Sequence, residues 1–424
     1  MDKKKYLIAF FSIYLLYSLP VEVEDKTPAS NLKCLSCHSV ESTCNEEFKI
    51  NEKNFLASVH GHLRCTDCHQ SALEKTKNEI PHKKSLPDVN CTANCHQEDK
   101  ELKSGQSPLH YADSVHGRAY LGRGIRDAAK CWDCHTKHNI KKKSDLESSV
   151  NRKNIPVTCS TCHEDMNVVV KYHIHCETPY QEYVRSAHGK ALYKDGLLFF
   201  AAVCVDCHGV HNIKGVGDPE HMTKRPETCG KCHVLIYEEY KESIHGSEAL
   251  KGNIYVPLCV DCHGEHEIIS PIEEGAPTSP KNVPDTCSTC HANPETMQKF
   301  EVPEDRIETF IKSLHGIAIG YGYAAAANCT SCHGVHNIRP ASDSLSSVNP
   351  ANLPDTCGQK NCHPKMSEKI SQAKIHRDID QKKSGAPYYI QQILIWVLLV
   401  TIIITIIWFT PGFIKKIKLL KKNK

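Results

Sequence analysis

Methionine is scarce in this chain, with five in 424 residues, so its chemistry cannot draw on a supply of thioether side chains. An excess of charge is missing too. Lysine and arginine number 52 against 49 acidic residues, leaving +3, and ahead of the basic C-terminal tail no stretch has the dense basic character of a nucleic-acid surface. Two residue types are abundant instead: 24 cysteines and 27 histidines, far above ordinary usage. Their chemistry must organise the chain.

Almost every cysteine can be placed. The string C-x-x-C-H occurs nine times, as Cys34, Cys37, His38; Cys65, Cys68, His69; Cys131, Cys134, His135; Cys159, Cys162, His163; Cys204, Cys207, His208; Cys229, Cys232, His233; Cys259, Cys262, His263; Cys287, Cys290, His291; and Cys329, Cys332, His333. Two strings widen the gap: Cys91, Cys95, His96 in CTANCH, and Cys357, Cys362, His363 in CGQKNCH. In a c-type haem site two thiolates add to the haem vinyl groups and the histidine ligates the iron. Zinc knuckles and disulfide frameworks also pair cysteines, but neither requires a histidine directly after each second cysteine. Eleven covalently attached haems c, each with its iron, are the expectation. Only Cys44 and Cys176 stand outside the pattern, to form a disulfide or stay free.

The motifs follow an internal repeat. One unit reads motif, short segment ending in S-x-H-G, second motif, and often a trailing G-x-H. Units begin at Cys34, Cys91, Cys159, Cys229 and Cys287, with a half unit from Cys357, and related links such as NIPVTC, VPDTC and LPDTC precede several of them. Charged, helix-permissive segments such as VLIYEEYKES alternate with proline-containing links, which predicts short helices, extensive loops and little sheet. About 39 residues serve each haem, too few for a separate protein core around each, so the porphyrins are expected to form the core.

Sixteen histidines lie outside the motifs. His60, His116, His188, His245 and His315 occupy S-x-H-G, and His376 in AKIHRD is given the corresponding place in the half unit. His138, His211, His266 and His336 follow a motif histidine by three residues. One helical turn beyond a ligating histidine, such a residue stays on the same side of its own porphyrin and should ligate a neighbour instead. These ten are expected to be sixth ligands. For the eleventh position His82 is favoured, with His62 as competitor, because the motif at Cys65 has no trailing histidine. His110, His173, His175 and His221 fit no repeat and read as ordinary residues, as do Met166 and Met366. Iron with two histidines has no open position, which points to low potential and electron transfer.

Residues 1–24 read as a signal peptide or N-terminal anchor, residues 25–386 as the haem domain, 387–410 as a transmembrane helix and 411–424 as a basic tail. The apolar run from Ile390 to Phe409 would form a helix about 30 Å long. Lys415, Lys416, Lys418, Lys421 and Lys422 follow it, which places the tail in the cytoplasm and the haem domain on the outer side of the cytoplasmic membrane.

The doubled C-x-x-C-H repeat resembles the membrane-anchored multihaem c-type cytochromes of anaerobic respiration, a superfamily that includes the NapC/NirT-type quinol dehydrogenases. The resemblance covers nearly all of Cys34 to His376. It implies electron transfer between a membrane partner, a b-type cytochrome or quinone-reactive subunit, and periplasmic or extracellular redox proteins. The chain departs from NapC/NirT in carrying its lasting anchor at the C-terminus. The rival classes are a multihaem oxidoreductase acting on nitrogen or sulfur compounds and a filament-forming extracellular cytochrome. A multihaem enzyme needs one vacant iron position, often marked by C-x-x-C-K, and no such motif occurs.

Overall fold

The structure, a computed structural model, describes residues 28–74, 86–96, 107–218, 222–364, 376 and 385–422. The N-terminal apolar segment, His82, His221, Met366 and the segment before His376 lie outside the described residues. Helix is the dominant element, almost always in pieces of three to nine residues, and the one extended pairing among the described residues is the isolated bridge Ser39–Ile50. The expectation of short helices, loops and little sheet is met. VLIYEEYKE, for example, forms the helix Val234–Glu242.

The repeat explains why the helices are short. Each link places proline in the first turn of a helix, where its missing N–H costs nothing. Pro156, Pro226, Pro284 and Pro354 open Ile155–His163, Arg225–Gly230, Val283–His291 and Leu353–Cys357. The threonine before the motif cysteine then ties the helix to the preceding loop: Thr158, Thr286 and Thr356 each donate to a carbonyl nine residues back, at 2.7 Å. Second motifs form separate one-turn helices such as Cys204–His208 and Cys259–His263. There the aspartate of C-x-D-C-H accepts from the backbone N–H just before the first cysteine, as Asp206 does from Val203 at 2.8 Å and Asp133 from Lys130 at 2.8 Å. That satisfies a donor otherwise left open at the helix start.

The described chain forms two compact units, one of residues up to 184 together with 188–218, the other of 185–187 and the residues from 222 onward. Six motifs belong to the first and five to the second. In the first, Ile155, Tyr183, Leu192, Ala201 and Val203 pack together against Cys159 and Cys204. Arg152 braces this cluster, donating to the carbonyls of Leu198 and Ala201 and to both carboxylate oxygens of Asp206. In the second, Tyr240, Ala249, Val283, Met297, Ile319 and Leu353 are buried.

At the C-terminal end, Ala386–Lys422 is one helix, of which Tyr388–Gly412 is long and apolar enough to cross a membrane and is not buried against the rest of the protein. Thr401 and Thr405 return their hydroxyls to the carbonyls four residues back at 2.7 Å, so these side chains leave no open donor.

Candidate haem-binding centres

The S-x-H-G string is a device for aiming a histidine. Ser243 caps Ile244–Leu250: its hydroxyl accepts from the Gly246 N–H at 2.9 Å and donates to the Tyr240 carbonyl at 2.7 Å. Ser114 does the same between Gly117 and Tyr111. Ser114, Ser186 and Ser243 are each about 1% exposed. The glycine is there for space. A Cβ on Gly246 would lie 1.9 Å from the Tyr240 oxygen, and one on Gly117 1.9 Å from that of Tyr111. With a buried cap on one side and a backbone contact on the other, the histidine between them has one direction to take. The tyrosines extend this brace, since Tyr111, Tyr183 and Tyr240 donate to the carbonyls of Ala129, Ala202 and Pro257, each two residues before the next motif.

A second recurring bond joins one repeat to the next. The residue before the S-x-H-G histidine donates its backbone N–H to the carbonyl two residues beyond a trailing histidine: Val59 to Ile140, Val115 to Ile213, Ala187 to Ile268 and Ile244 to Ile338, at 2.8–2.9 Å. The trailing histidines are not helical. The motif helix ends at its own histidine, and Gly209, Gly264 and Gly334 follow at φ +83°. This turn, rather than the expected helical continuation, carries the trailing histidine away from its own motif.

Eight histidine pairs result among the described residues. His60 faces His96, His116 faces His163, His245 faces His291 and His315 faces His363. His138 faces His69, His211 faces His135, His336 faces His263 and His376 faces His333. Ring centres lie between 6.0 and 6.3 Å apart while interplanar angles run from 19° to 69°. Rings packed on one another would trade distance against angle. A nearly constant distance at varied angle instead fits a shared centre between the rings. An iron bonded to both imidazoles at about 2.0 Å sets ring centres about 6 Å apart. The residues therefore fit bis-histidine haem.

The pairing obeys one rule. An S-x-H-G histidine faces the first motif of the following repeat, and a trailing histidine faces the second motif of the preceding one. Both wide motifs obey it through His96 and His363. Of the remaining expected ligands, His188 lies in Ala187–Tyr193, His208 ends Cys204–His208, His233 precedes Val234–Glu242 and His266 follows the Gly264 turn.

Two expectations are corrected. The haem motif at Cys65, for which His82 was favoured, has His138 opposite its histidine; His82 itself is outside the described residues. His376 takes the role of a trailing histidine, facing His333 of the fifth unit, rather than the S-x-H-G role of the half unit. Its chain position resembled one class while its spatial position belongs to the other. Cys44 and Cys176 do not bond to each other: the sulfur of Cys44 is 3.3 Å from the Ser42 hydroxyl, and that of Cys176 is 3.5 Å from a Glu182 carboxylate oxygen. Met166 is half exposed, and His116 holds the place opposite the neighbouring motif histidine.

Burial keeps the facing imidazoles in the form that binds metal. It is the main cause pushing His60, His116, His138, His315, His336 and His376 below the usual histidine range. His245, deepest of these, is pushed down to about 4 by burial and then by His291. Hydrogen bonds fix tautomers as well. The Phe48 carbonyl, which can only accept, lies 3.0 Å from His38 Nδ1, so that nitrogen donates and Nε2 is left for the iron.

The cysteines form a continuous sequence within each unit. First cysteines of the two motifs of a repeat are neighbours, as Cys34 is of Cys65, Cys91 of Cys131, Cys159 of Cys204, Cys229 of Cys259 and Cys287 of Cys329. Second cysteines reach the following repeat: Cys68 lies within the field of Cys91 and Cys95, Cys134 of Cys159 and Cys162, Cys262 of Cys290, and Cys332 of Cys357 and Cys362. Attachment sites thus succeed one another in chain order. Sequence reading missed the bracing residues, although the recurrent aspartate of C-x-D-C-H and the tyrosine three residues before the S-x-H-G serine were visible signals.

A family model described as a doubled CXXCH motif matches residues 125–168. No curated protein and no solved structure matches the chain. The motif indicates covalently bound haem c, and the match, with the repetition of the string along the sequence, supports a multihaem c-type cytochrome motif.

Proposed function

We propose that the chain is an electron-transfer protein carrying eleven haems c, with a second histidine ligand supplied by the pairing rule at ten of them and by His82 or His62 at the haem of Cys34, the one first motif with no preceding repeat, and that it connects a membrane redox partner to acceptors outside the cytoplasmic membrane. The observation that carries this reading is the set of eight histidine pairs at 6.0–6.3 Å. When bound, haem c supplies reversible one-electron chemistry. The chain's residues do the rest. Cysteines would tether each porphyrin, the S-x-H-G and trailing histidines would supply its iron with a second histidine ligand, and their burial would exclude competing water. Because a histidine from one repeat would close the site of its neighbour, adjacent haems would be held at fixed separation.

The C-terminal apolar helix is read as the anchor, with the basic tail inside and the haem domain outside. A b-type cytochrome or another quinone-reactive membrane subunit is the proposed partner, within the NapC/NirT-related setting that the sequence resembles. The test uses the full-length protein in vesicles containing quinol and a quinol-oxidising membrane fraction. Reduction of the haems at a rate set by that fraction supports the reading. Reduction by dithionite but never by such membranes would remove the membrane partner from it.

A further inference from the structure

We infer that the residue six positions before each S-x-H-G histidine tunes the reduction potential of the second haem of its repeat, and that Glu239 and Thr309 set neighbouring haems of this type to different potentials. This rests on the bis-histidine reading. The register position holds Asn54, His110, Glu182, Glu239 and Thr309 in successive repeats, so its side-chain chemistry varies where the surrounding strings hold constant.

Two members show what the position touches. Thr309, 3% exposed, places Oγ1 3.1 Å from Nδ1 of His376, which faces His333. Its hydroxyl has one proton and donates it along the helix to the Asp305 carbonyl at 2.7 Å. Toward His376 it must therefore accept, so Nδ1 carries the ring proton and Nε2 is free to face the iron. Glu239 occupies the same place one repeat earlier, with Oε2 3.8 Å from Nδ1 of His336, which faces His263. A carboxylate can only accept, so it selects the same tautomer. At that distance it acts as a charge beside the ring more than as a direct hydrogen bond.

The two partners differ in charge. An anion beside the distal N–H makes the imidazole a stronger donor and favours the ferric state, while a hydroxyl does so far less. The positive charge of Arg306 reaches His376 and outweighs the negative charge of Asp305 beside it, so the charge around His376 acts in the opposite direction to Glu239. The haem of Cys259 and Cys262 is therefore set below that of Cys329 and Cys332 by these contacts. Thr309 and Glu239 are positioning residues, acting on the iron only through a histidine.

The test is a potentiometric titration of the full-length holoprotein, resolved into one-electron components, for Glu239→Gln and Thr309→Glu. Glu239→Gln keeps an acceptor oxygen and removes only charge. It should raise one component by about tenfold in its reduction equilibrium constant, about 59 mV for a one-electron couple, leaving the others in place. Thr309→Glu should lower one component. Glu239 is on an exposed face, so its variant keeps the test alive should the buried Thr309 change disturb folding. His336→Ala separates the two levels of argument. If it leaves every iron low spin, the ligation reading itself fails. If it creates one high-spin iron while Glu239→Gln moves no component, the tuning inference alone is overturned.

Discussion

The ring of His138 faces the ring of His69 across 6.2 Å, tilted by 39°, although His138 belongs to the second repeat and His69 to the first. His138→Ala should therefore convert the haem of Cys65 and Cys68, and that haem alone, to a high-spin form that binds carbon monoxide when reduced. His82→Ala should leave the same haem low spin. Absorbance near the high-spin charge-transfer band, with and without carbon monoxide, checks both variants, and the opposite pattern would restore the sequence-based assignment of His82 to this haem.

The glycine of S-x-H-G gives a second prediction. Gly246→Ala pushes a methyl group to 1.9 Å from the Tyr240 carbonyl oxygen, so the helix start must move and take His245 with it. A loss of about 2–3 kcal/mol is expected for a forced clash of this kind. Denaturant unfolding would register it, accompanied by partial high-spin character at the haem of Cys287 and Cys290. A fully native spectrum at unchanged stability would show that the close approach does not hold the histidine.

Thr136 runs the other way. It follows His135 at φ +67°, where the equivalent repeats use glycine at φ +83°, and its buried hydroxyl has no hydrogen-bond partner among the described residues. Thr136→Gly should relieve a strained backbone and an unsatisfied oxygen, raising stability by about 1 kcal/mol. The unfolding midpoint measures this, and a decrease would mean that the threonine contributes a contact outweighing its strain.

Acid should act late on His245. Its imidazole is held down to about 4 by burial, against 6.5 when free, so unfolding takes up a proton between those values and stability falls as pH drops through that window. Iron competes with the proton for the same nitrogen and moves release further into acid. Low-spin absorbance at the haem of Cys287 should persist at pH 5. High-spin haem growing between pH 6.5 and 5 at the haem of Cys287 and Cys290 would contradict this.

His376→Met should raise one potential, that of the haem of Cys329 and Cys332, because a thioether favours ferrous iron relative to imidazole. Since the last two motifs precede the apolar helix, exchange with quinol-containing membranes should slow in the same variant. Unchanged potentials would show that His376 is not a ligand.

The attachment motifs can be read from the sequence because their chemistry is local: two sulfurs and a histidine must meet one porphyrin within a few residues. The repeated strings likewise single out the histidines that stand opposite motif histidines in the eight pairs, as fixed words in a repeated phrase. Which histidine serves which motif was not legible. It depends on the Gly264-type turn, which periodicity reads as a continuing helix, and on the bond from Ile244 to Ile338, which joins residues of different repeats. His376 shows the cost of counting along the chain, since its distance past Cys357 suggested one role while its place opposite His333 gives it the other. The tuning position was hidden because its residue type changes from repeat to repeat, leaving no string to notice.

Electron paramagnetic resonance of the fully oxidised full-length protein tests the paired-histidine account most directly. Parallel imidazoles donate into the same iron d orbital and split the two π-type orbitals, whereas crossed imidazoles leave them nearly equal. His135–His211 and His263–His336, at 19°, should give ordinary rhombic low-spin signals, and His116–His163, at 69°, a strongly anisotropic low-spin signal. The account predicts both types of low-spin signal, no high-spin ferric iron, and no carbon monoxide binding after reduction. A substantial high-spin signal in the untreated protein would contradict it, and would show that histidines facing one another across 6 Å do not close these sites.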